Sequence, residues 1–138
     1  MTKQARFLFV LASTSGFSAV LLGAFGAHGL RETLEARGRV SVWETAVLYH
    51  SLHALFLLIL ACWGTSQAWV FRAGMMAFVG ILMFSGSLYL LSLGGPSWLG
   101  PVTPLGGLLF LGAWLSVGWS SVSRKSSERG STNQQMGV

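Results

Sequence analysis

The stretch from Ala73 to Ser123 contains no Asp, Glu, Lys or Arg residue. A water-soluble domain of this size needs charged side chains to solvate its surface, whereas a chain that is solvated by lipid does not. Of the 138 residues in the chain, 9% are charged and 52% are hydrophobic. The sequence therefore predicts an integral membrane protein.

Four apolar runs are long enough to cross a bilayer, since each is close to the roughly twenty residues that a helix needs to span the hydrocarbon core. They do not alternate polar and apolar residues, as the strands of a membrane barrel do. The sequence predicts an all-α, up-and-down four-helix bundle that forms one membrane domain over residues 1–122. The predicted spans cover residues 7–27, 42–64, 73–93 and 104–122. Residues 123–138, which are rich in Ser, Asn, Gln and Gly, are predicted to form a disordered polar tail.

The distribution of Lys and Arg predicts which way the bundle faces. With four spans, both termini share a side with the second connection, and this side carries six Lys and Arg residues against three on the other. Because positive residues favour the cytoplasmic side, both termini are predicted to be cytoplasmic in a multi-pass protein of the plasma (inner) membrane. The basic residues are dispersed, so the net charge of +5 indicates the anionic bilayer surface, and not nucleic acid, as the partner.

Small residues recur along the spans at helical spacing, which lets neighbouring helices approach closely in lipid. The predicted close-packing positions are Gly16 and Gly23 in the first span, Gly86 in the third and Gly112 in the fourth. Beyond the lipid bilayer, the partners considered are a second copy of the chain or a larger membrane complex.

Two histidines lie deep inside the second span. His50 and His53 are three residues apart and therefore project from one face of a helix. An ionisable group at such depth is costly and needs a partner, which makes it a functional candidate. In an up-and-down bundle, the polar groups of three helices converge on the outer half. The predicted polar pocket contains His28, Glu44, Tyr49, His50, His53, Ser85, Ser87 and Tyr89.

Three interpretations of this pocket stay open. It fixes helix packing through hydrogen bonds, it binds a metal, haem or quinone, or it forms a proton or solute path. If a metal is bound, its imidazole ligands are His28, His50 and His53, while Glu44 is better explained as a helix cap. The metal-site patterns HExxH and CxxC are absent, and Cys62 is the only cysteine.

Catalytic motifs are missing from the sequence. There is no GxSxG motif, no phosphate-binding loop of the GxxxxGKS type and no Asp residue. No catalytic residue is assigned, and the sequence favours a non-enzymatic protein without a cofactor.

Four ordered blocks of residues carry a family resemblance. They are GAFGAHGL at residues 23–30, WETA with the following Tyr and His residues at 43–55, SGSLY at 85–89, and TPLGG at 103–107. These blocks resemble the signature blocks of the small membrane family of domain of unknown function 423, whose animal relatives are called transmembrane protein 256-like. The resemblance implies a four-helix inner-membrane or organellar protein and implies no activity.

Two functional hypotheses follow from the sequence. In the first, the protein is a non-enzymatic bundle that associates with itself or joins a larger membrane complex. In the second, the histidine cluster binds a metal, haem or quinone and assists electron transfer or oxidation. A Soret band or stoichiometric metal in the purified protein distinguishes the second hypothesis from the first.

Overall fold

The computed structural model describes residues 1–63 and 67–135, with side chains described as far as Ser120 apart from the same gap. The described residues form helices joined by short connections, and they contain no β-strand. The helical elements are α1 (Lys3–Ala27), α2 (Arg31–Ala36), α3 (Val40–Trp63), α4 (Ala68–Gly80), a π-helical segment (Ile81–Ser85), α5 (Gly86–Ser92), a 3-10 turn (Ser97–Leu99) and α6 (Val102–Gln135).

Four stretches of helix are long and apolar enough to cross a membrane, at Lys3–Ala27, Val40–Trp63, Ala68–Ser92 and Ser97–Ser120. The predicted all-α four-helix membrane fold is confirmed. The predicted end of the second span, at residue 64, lies outside the described residues.

The last helix continues to Gln135, past the predicted end of the fourth span at residue 122. The candidate span within it is described as far as Ser120, and the side chains beyond that residue lie outside the description. The division into a membrane domain over residues 1–122 and a disordered polar tail over residues 123–138 stays a prediction.

The spans pack in a defined order. Helix α1 contacts mainly α3, α3 contacts the α4–π–α5 span, and α4 with the π segment contacts α6. The main apolar core lies where α3 meets the third span and α6, and includes Leu57, Leu60, Ala73, Ala77 and Phe110. Helices α1 and α6 therefore form the outer members of the bundle.

The third span is interrupted by the π-helical segment, which the sequence reasoning did not predict. The Gly86 N–H donates to the Ile81 carbonyl oxygen, five residues earlier, in place of the usual four. The segment lies directly against α6, because a methyl group added at Gly106 would overlap the backbone of Phe84. The Gly106 position thus allows backbone contact between the third and fourth spans.

The predicted close-packing glycines lie in different surroundings. A methyl group at Gly23 would lie 3.3 Å from the Val47 side chain on α3, and one at Gly112 would overlap the end of Met76. A methyl group at Gly16 meets nothing within 4 Å, and one at Gly86 meets only the Ile81 carbonyl of the same span, at 4.0 Å. Four close contacts between helices that the sequence reasoning missed are Gly26 with Trp43, Gly74 with Leu8, Gly80 with Phe110, and Gly106 with Phe84.

Helix α2 packs against the C-terminal end of α1 and the N-terminal end of α3, which we name the surface end of the bundle. It ends at Ala36 and is followed by Gly38, whose φ of 62° is in the left-handed region that favours glycine. The Gly38 N–H donates to Glu35 and the Arg39 N–H donates to Leu34, which closes the helix. The Leu34 side chain is buried, so α2 is attached to the bundle by an apolar contact.

Candidate functional site

His50 lies on α3 and is buried, and its two ring nitrogens face two other helices. Its Nε2 lies 3.4 Å from Ser18 Oγ on α1, and its Nδ1 lies 3.3 Å from Tyr89 Oη on α5. Ser18 donates its own hydroxyl proton to the Thr14 carbonyl, at 2.9 Å. Ser18 therefore accepts from a protonated Nε2, and the Tyr89 hydroxyl donates to Nδ1. A neutral His50 thus links α1, α3 and α5 through two long hydrogen bonds.

His53 is also buried, but its hydrogen-bond partners lie on α3 itself and on α6. Its Nδ1 lies 2.8 Å from the Tyr49 carbonyl, which only accepts, so Nδ1 carries the proton. Its Nε2 then accepts a 3.4 Å hydrogen bond from Trp114 Nε1 on α6. The imidazole also stacks on Phe110, with ring centroids 3.4 Å apart. His53 therefore connects α3 to α6, whereas His50 connects α3 to α1 and α5.

Aromatic rings surround both histidines. Tyr89 packs on Trp43 with centroids 4.7 Å apart, and Trp43 Nε1 donates to the Leu22 carbonyl at 3.0 Å. Tyr49 is 39% exposed and packs on Phe84 with centroids 4.7 Å apart. The two tyrosines of the predicted pocket thus belong to different surroundings.

The two serines of the predicted pocket differ in their hydrogen bonding. Ser87 Oγ lies 2.9 Å from the Phe84 carbonyl and 2.6 Å from Thr103 Oγ1. Ser85 is fully buried in the π segment, and its hydroxyl is the buried side-chain polar group without a hydrogen-bond partner among residues 1–63 and 67–120. Ser85 precedes Tyr89 by one helical turn and so lies on the same side of the span.

His28 and Glu44 lie at the surface end of the bundle. The His28 side chain is exposed at the end of α1, and no hydrogen bond or ring contact within the described residues joins it to His50 or His53. The Glu44 side chain is 68% exposed and lies 4.0 Å from Arg31. The structure therefore brings His50 together with Tyr89, places His53 in a second network, and leaves His28 and Glu44 outside both.

Several residues of these networks were missed by the sequence reasoning, namely Ser18, Trp43, Thr103, Phe110 and Trp114. The sequence did carry a signal for Ser18, namely a hydroxyl inside the apolar first span. Ser and Thr side chains in membrane helices form hydrogen bonds with neighbouring helices. Trp114 lies near the middle of the predicted fourth span, away from the membrane–water interfaces where Trp is enriched, and this unused position was the signal for it.

The ring nitrogens of both buried histidines are occupied by protein groups. Over the described side chains, no three or more His, Cys, Asp or Glu residues are grouped to hold a metal ion. A ligand at either imidazole has to replace one of these hydrogen bonds, and all of them except that between His53 Nδ1 and the Tyr49 carbonyl join two helices. The described contacts of the two imidazoles are therefore hydrogen bonds and ring contacts that connect α3 to its neighbours.

Comparison with known proteins places the chain in a family. Residues 22–107 match the family model described as "Protein of unknown function (DUF423)", and this region contains all three histidines, Tyr89 and Gly106. No solved structure matches the chain.

Three relatives illustrate the similarity. The chain is 42% identical over 111 residues to the UPF0382 membrane protein YwdK of Bacillus subtilis, covering 78% of this chain and 89% of the relative. It is 39% identical over 117 residues to a UPF0382 membrane protein of Haemophilus influenzae, covering 84% and 94%. It is 38% identical over 127 residues to the UPF0382 inner membrane protein YgdD of Escherichia coli, covering 88% and 95%. The chain, with its four apolar helices, therefore belongs to the DUF423 family of membrane proteins.

Proposed function

We propose that the protein is a non-enzymatic bundle of the plasma (inner) membrane whose buried polar groups fix helix packing and which associates with itself. The observation that carries this proposal is the bonding of His50 and His53. Each neutral imidazole has one donor and one acceptor, and both are used by protein groups. A ligand that binds either imidazole has to displace one of these protein groups.

The bonds of these histidines are of the kind that holds membrane helices together. Hydrogen bonds between helices in a bilayer contribute about 0.6 kcal/mol on average, and up to about 1.7 kcal/mol. Bonds of this size, spread over three neighbouring helices, favour one arrangement of the bundle over others that bury equal apolar area. This supports a packing role for His50, His53 and Tyr89.

Self-association is supported by the exposure of α6. Of the residues in the apolar window of this span 17% are buried, compared with 22% for α1 and 44% for α3. One face of α6 carries large exposed side chains at spacings of three and four residues, which makes a continuous stripe. The stripe consists of Leu108, Leu111, Leu115 and Trp119. We name it the α6 stripe and assign it to contact with a second copy.

Disulfide crosslinking in membranes tests the self-association. In a Cys62→Ala background, Leu115→Cys places a thiol on the α6 stripe, and Val20→Cys places one on α1 at nearly equal exposure, 72% against 74%. Oxidation is expected to give a covalent dimer for Leu115→Cys and little for Val20→Cys. Equal yields from the two variants, or no dimer from Leu115→Cys, contradict the proposal.

Purification in detergent tests the non-enzymatic packing role against the redox hypothesis. We expect no stoichiometric metal, Soret band or quinone to accompany the protein, and we expect His50→Phe to lower thermal stability. Stoichiometric metal or a chromophore that disappears in His50→Phe contradicts the packing role and supports the ligand-binding hypothesis.

A further inference from the structure

A groove lined only by α1, α2 and α3 runs along one face of the bundle. It consists of two hollows of about 360 Å³ each, which share Ser51 where they meet. We name it the α1–α3 groove. Its floor is made of the small residues Ala12, Gly16, Ala19, Gly23, Gly26 and Ala54.

The groove is open around Gly16, because this part of its floor lacks side-chain volume. A methyl group added at Gly16 would meet no atom within 4 Å, whereas one at Gly23 would lie 3.3 Å from Val47 and one at Gly26 would overlap Trp43. Large side chains such as Leu55, Leu58 and Val20 form the walls. The result is an apolar groove that is widest around Gly16 and is narrowed by Val47 and Trp43 towards its surface end.

A charged pair lies at the surface end of the groove. Arg31 and Glu44 both line this end, and Arg31 Nη1 is 4.0 Å from Glu44 Oε1. Their side chains are 47% and 68% exposed, so both are accessible from the membrane interface. Arg31 makes its closer ion pair with Glu35, at 2.5 Å, which leaves the Glu44 carboxylate weakly paired.

The groove is longer than the hydrocarbon of one leaflet is deep. The residues that line it on α1 extend from Ala12 to Ala27, which at about 1.5 Å per residue corresponds to roughly 22 Å. The hydrocarbon of one leaflet is about 15 Å deep, half of the core thickness. The groove therefore reaches from the headgroup level to beyond the depth of a full acyl chain.

The surface end distinguishes a lipid from a transmembrane helix as the occupant. Helix α2 closes this end, because Arg31 and Leu34 line it. An apolar transmembrane helix in the groove would meet α2 and the Arg31–Glu44 pair at this end. A lipid would place its apolar acyl chain in the groove and its polar headgroup beside the charged pair. A headgroup with one phosphate and one ammonium is complementary to adjacent Arg31 and Glu44.

We propose that the α1–α3 groove binds an acyl chain of a phosphatidylethanolamine-type lipid, whose ammonium donates to Glu44 and whose phosphate accepts from Arg31. A choline headgroup lacks the N–H that donates to a carboxylate. A glycerol headgroup lacks the positive charge that pairs with Glu44. The site therefore selects a zwitterionic lipid with a primary ammonium, and it lies on a different face from the α6 stripe.

Lipid titration of the delipidated full chain in detergent tests this site. Phosphatidylethanolamine, phosphatidylcholine and phosphatidylglycerol with identical acyl chains are added, and the lipid-bound fraction is measured by native mass spectrometry. We expect one molecule of phosphatidylethanolamine to bind about tenfold more tightly than the other two, the size of one hydrogen bond to a charged group. Glu44→Gln, a change at an exposed side chain, is expected to remove this preference.

Two glycine variants separate groove binding from general lipid contact. Gly16→Leu fills the floor of the groove, and Gly118→Leu adds the same volume on α6, where a methyl group likewise meets nothing within 4 Å. Gly16→Leu is expected to lower binding of all three lipids, and Gly118→Leu to leave it unchanged.

Several results would overturn the lipid site. They are equal binding of the three lipids by the wild-type chain, a retained preference in Glu44→Gln, or equal lipid binding by Gly16→Leu and Gly118→Leu. Loss of a dimer in Gly16→Leu with unchanged lipid binding would identify a helix of a second copy as the occupant and would also overturn it.

Discussion

Ser87 and Thr103 place their hydroxyl oxygens 2.6 Å apart, across the interface between the third span and α6. Ser87 also lies 2.9 Å from the Phe84 carbonyl, and Thr103 lies 3.4 Å from the Leu99 carbonyl, so each hydroxyl has a backbone acceptor besides its partner. Phe84 belongs to the π segment. The pair therefore fastens the irregular part of the third span to the first turn of α6.

This pair predicts measurable coupling between two helices. Ser87→Ala and Thr103→Ala are each expected to lower the free energy of unfolding, and the double variant is expected to lose less than the sum of the two. The coupling energy should be about 0.6 to 1.7 kcal/mol, as for other hydrogen bonds between membrane helices. Thermal or denaturant unfolding in detergent measures it, and strictly additive losses would show that the two hydroxyls do not interact.

His50→Phe is expected to reduce stability through lost hydrogen bonds. The change removes the imidazole to which the Tyr89 and Ser18 hydroxyls are hydrogen-bonded, which lowers the free energy of unfolding by about 1 to 3 kcal/mol. His28→Phe is the matched control, since His28 is exposed at the end of α1. The midpoint of thermal unfolding in detergent compares the two. Similar midpoints for both variants would remove the packing role assigned to His50.

Ser85→Ala is expected to leave stability unchanged or raise it, because the change removes a fully buried hydroxyl that has no described hydrogen bond. Ser92→Ala is the control, since Ser92 is equally buried but donates to the Leu88 carbonyl at 2.7 Å. Unfolding midpoints should therefore rank Ser85→Ala above Ser92→Ala. The reverse order would reveal a bonded role for the Ser85 hydroxyl.

Gly106→Ala is expected to destabilise the bundle by about 1 to 3 kcal/mol, the usual cost of overpacking. The added methyl group would overlap the backbone of Phe84, which cannot rotate away as a side chain can. Gly118→Ala adds the same group in open space and serves as the control. Equal unfolding free energies for the two variants would contradict the close contact at Gly106.

The predicted topology is tested by reporter fusions after Arg39 and at the C-terminus. The six-to-three distribution of Lys and Arg predicts that the first junction is outside and the second is cytoplasmic. Activity of a cytoplasmic reporter at Arg39, or the same location for both junctions, would refute this orientation.

The spans followed from the sequence because lipid solvation requires long apolar helices and tolerates little else. The polar residues were harder to interpret. His50 and His53 point within about 60° of each other on α3, and this spacing suggested one pocket. Their partners instead depend on which helices lie beside α3 at each level, and a single sequence does not specify those neighbours.

The π segment explains a second part of what could not be predicted. Nothing in the residues Ile81 to Ser85 distinguishes them from an ordinary apolar helix. The irregular turn lies where Gly106 of α6 approaches the backbone of Phe84, and this contact is tertiary. It shifts the rotation of α5 and so decides where Tyr89 and Ser87 point.

The π segment also gives the third span one residue more than a regular α-helix with the same packing would have. A turn that closes over five residues holds one residue more than an α-helical turn, so α4 and α5 are out of phase by about 100° of rotation. Deleting one residue between Ile81 and Ser85 would therefore restore a continuous α-helix with Tyr89 and Ser87 still directed at His50 and Thr103, whereas a regular α-helix through all five residues would turn both away. Because the extra residue is taken up inside this turn, the third span keeps its contacts on both sides of it, those of α4 with α6 before the turn and those of α5 with α3 after it.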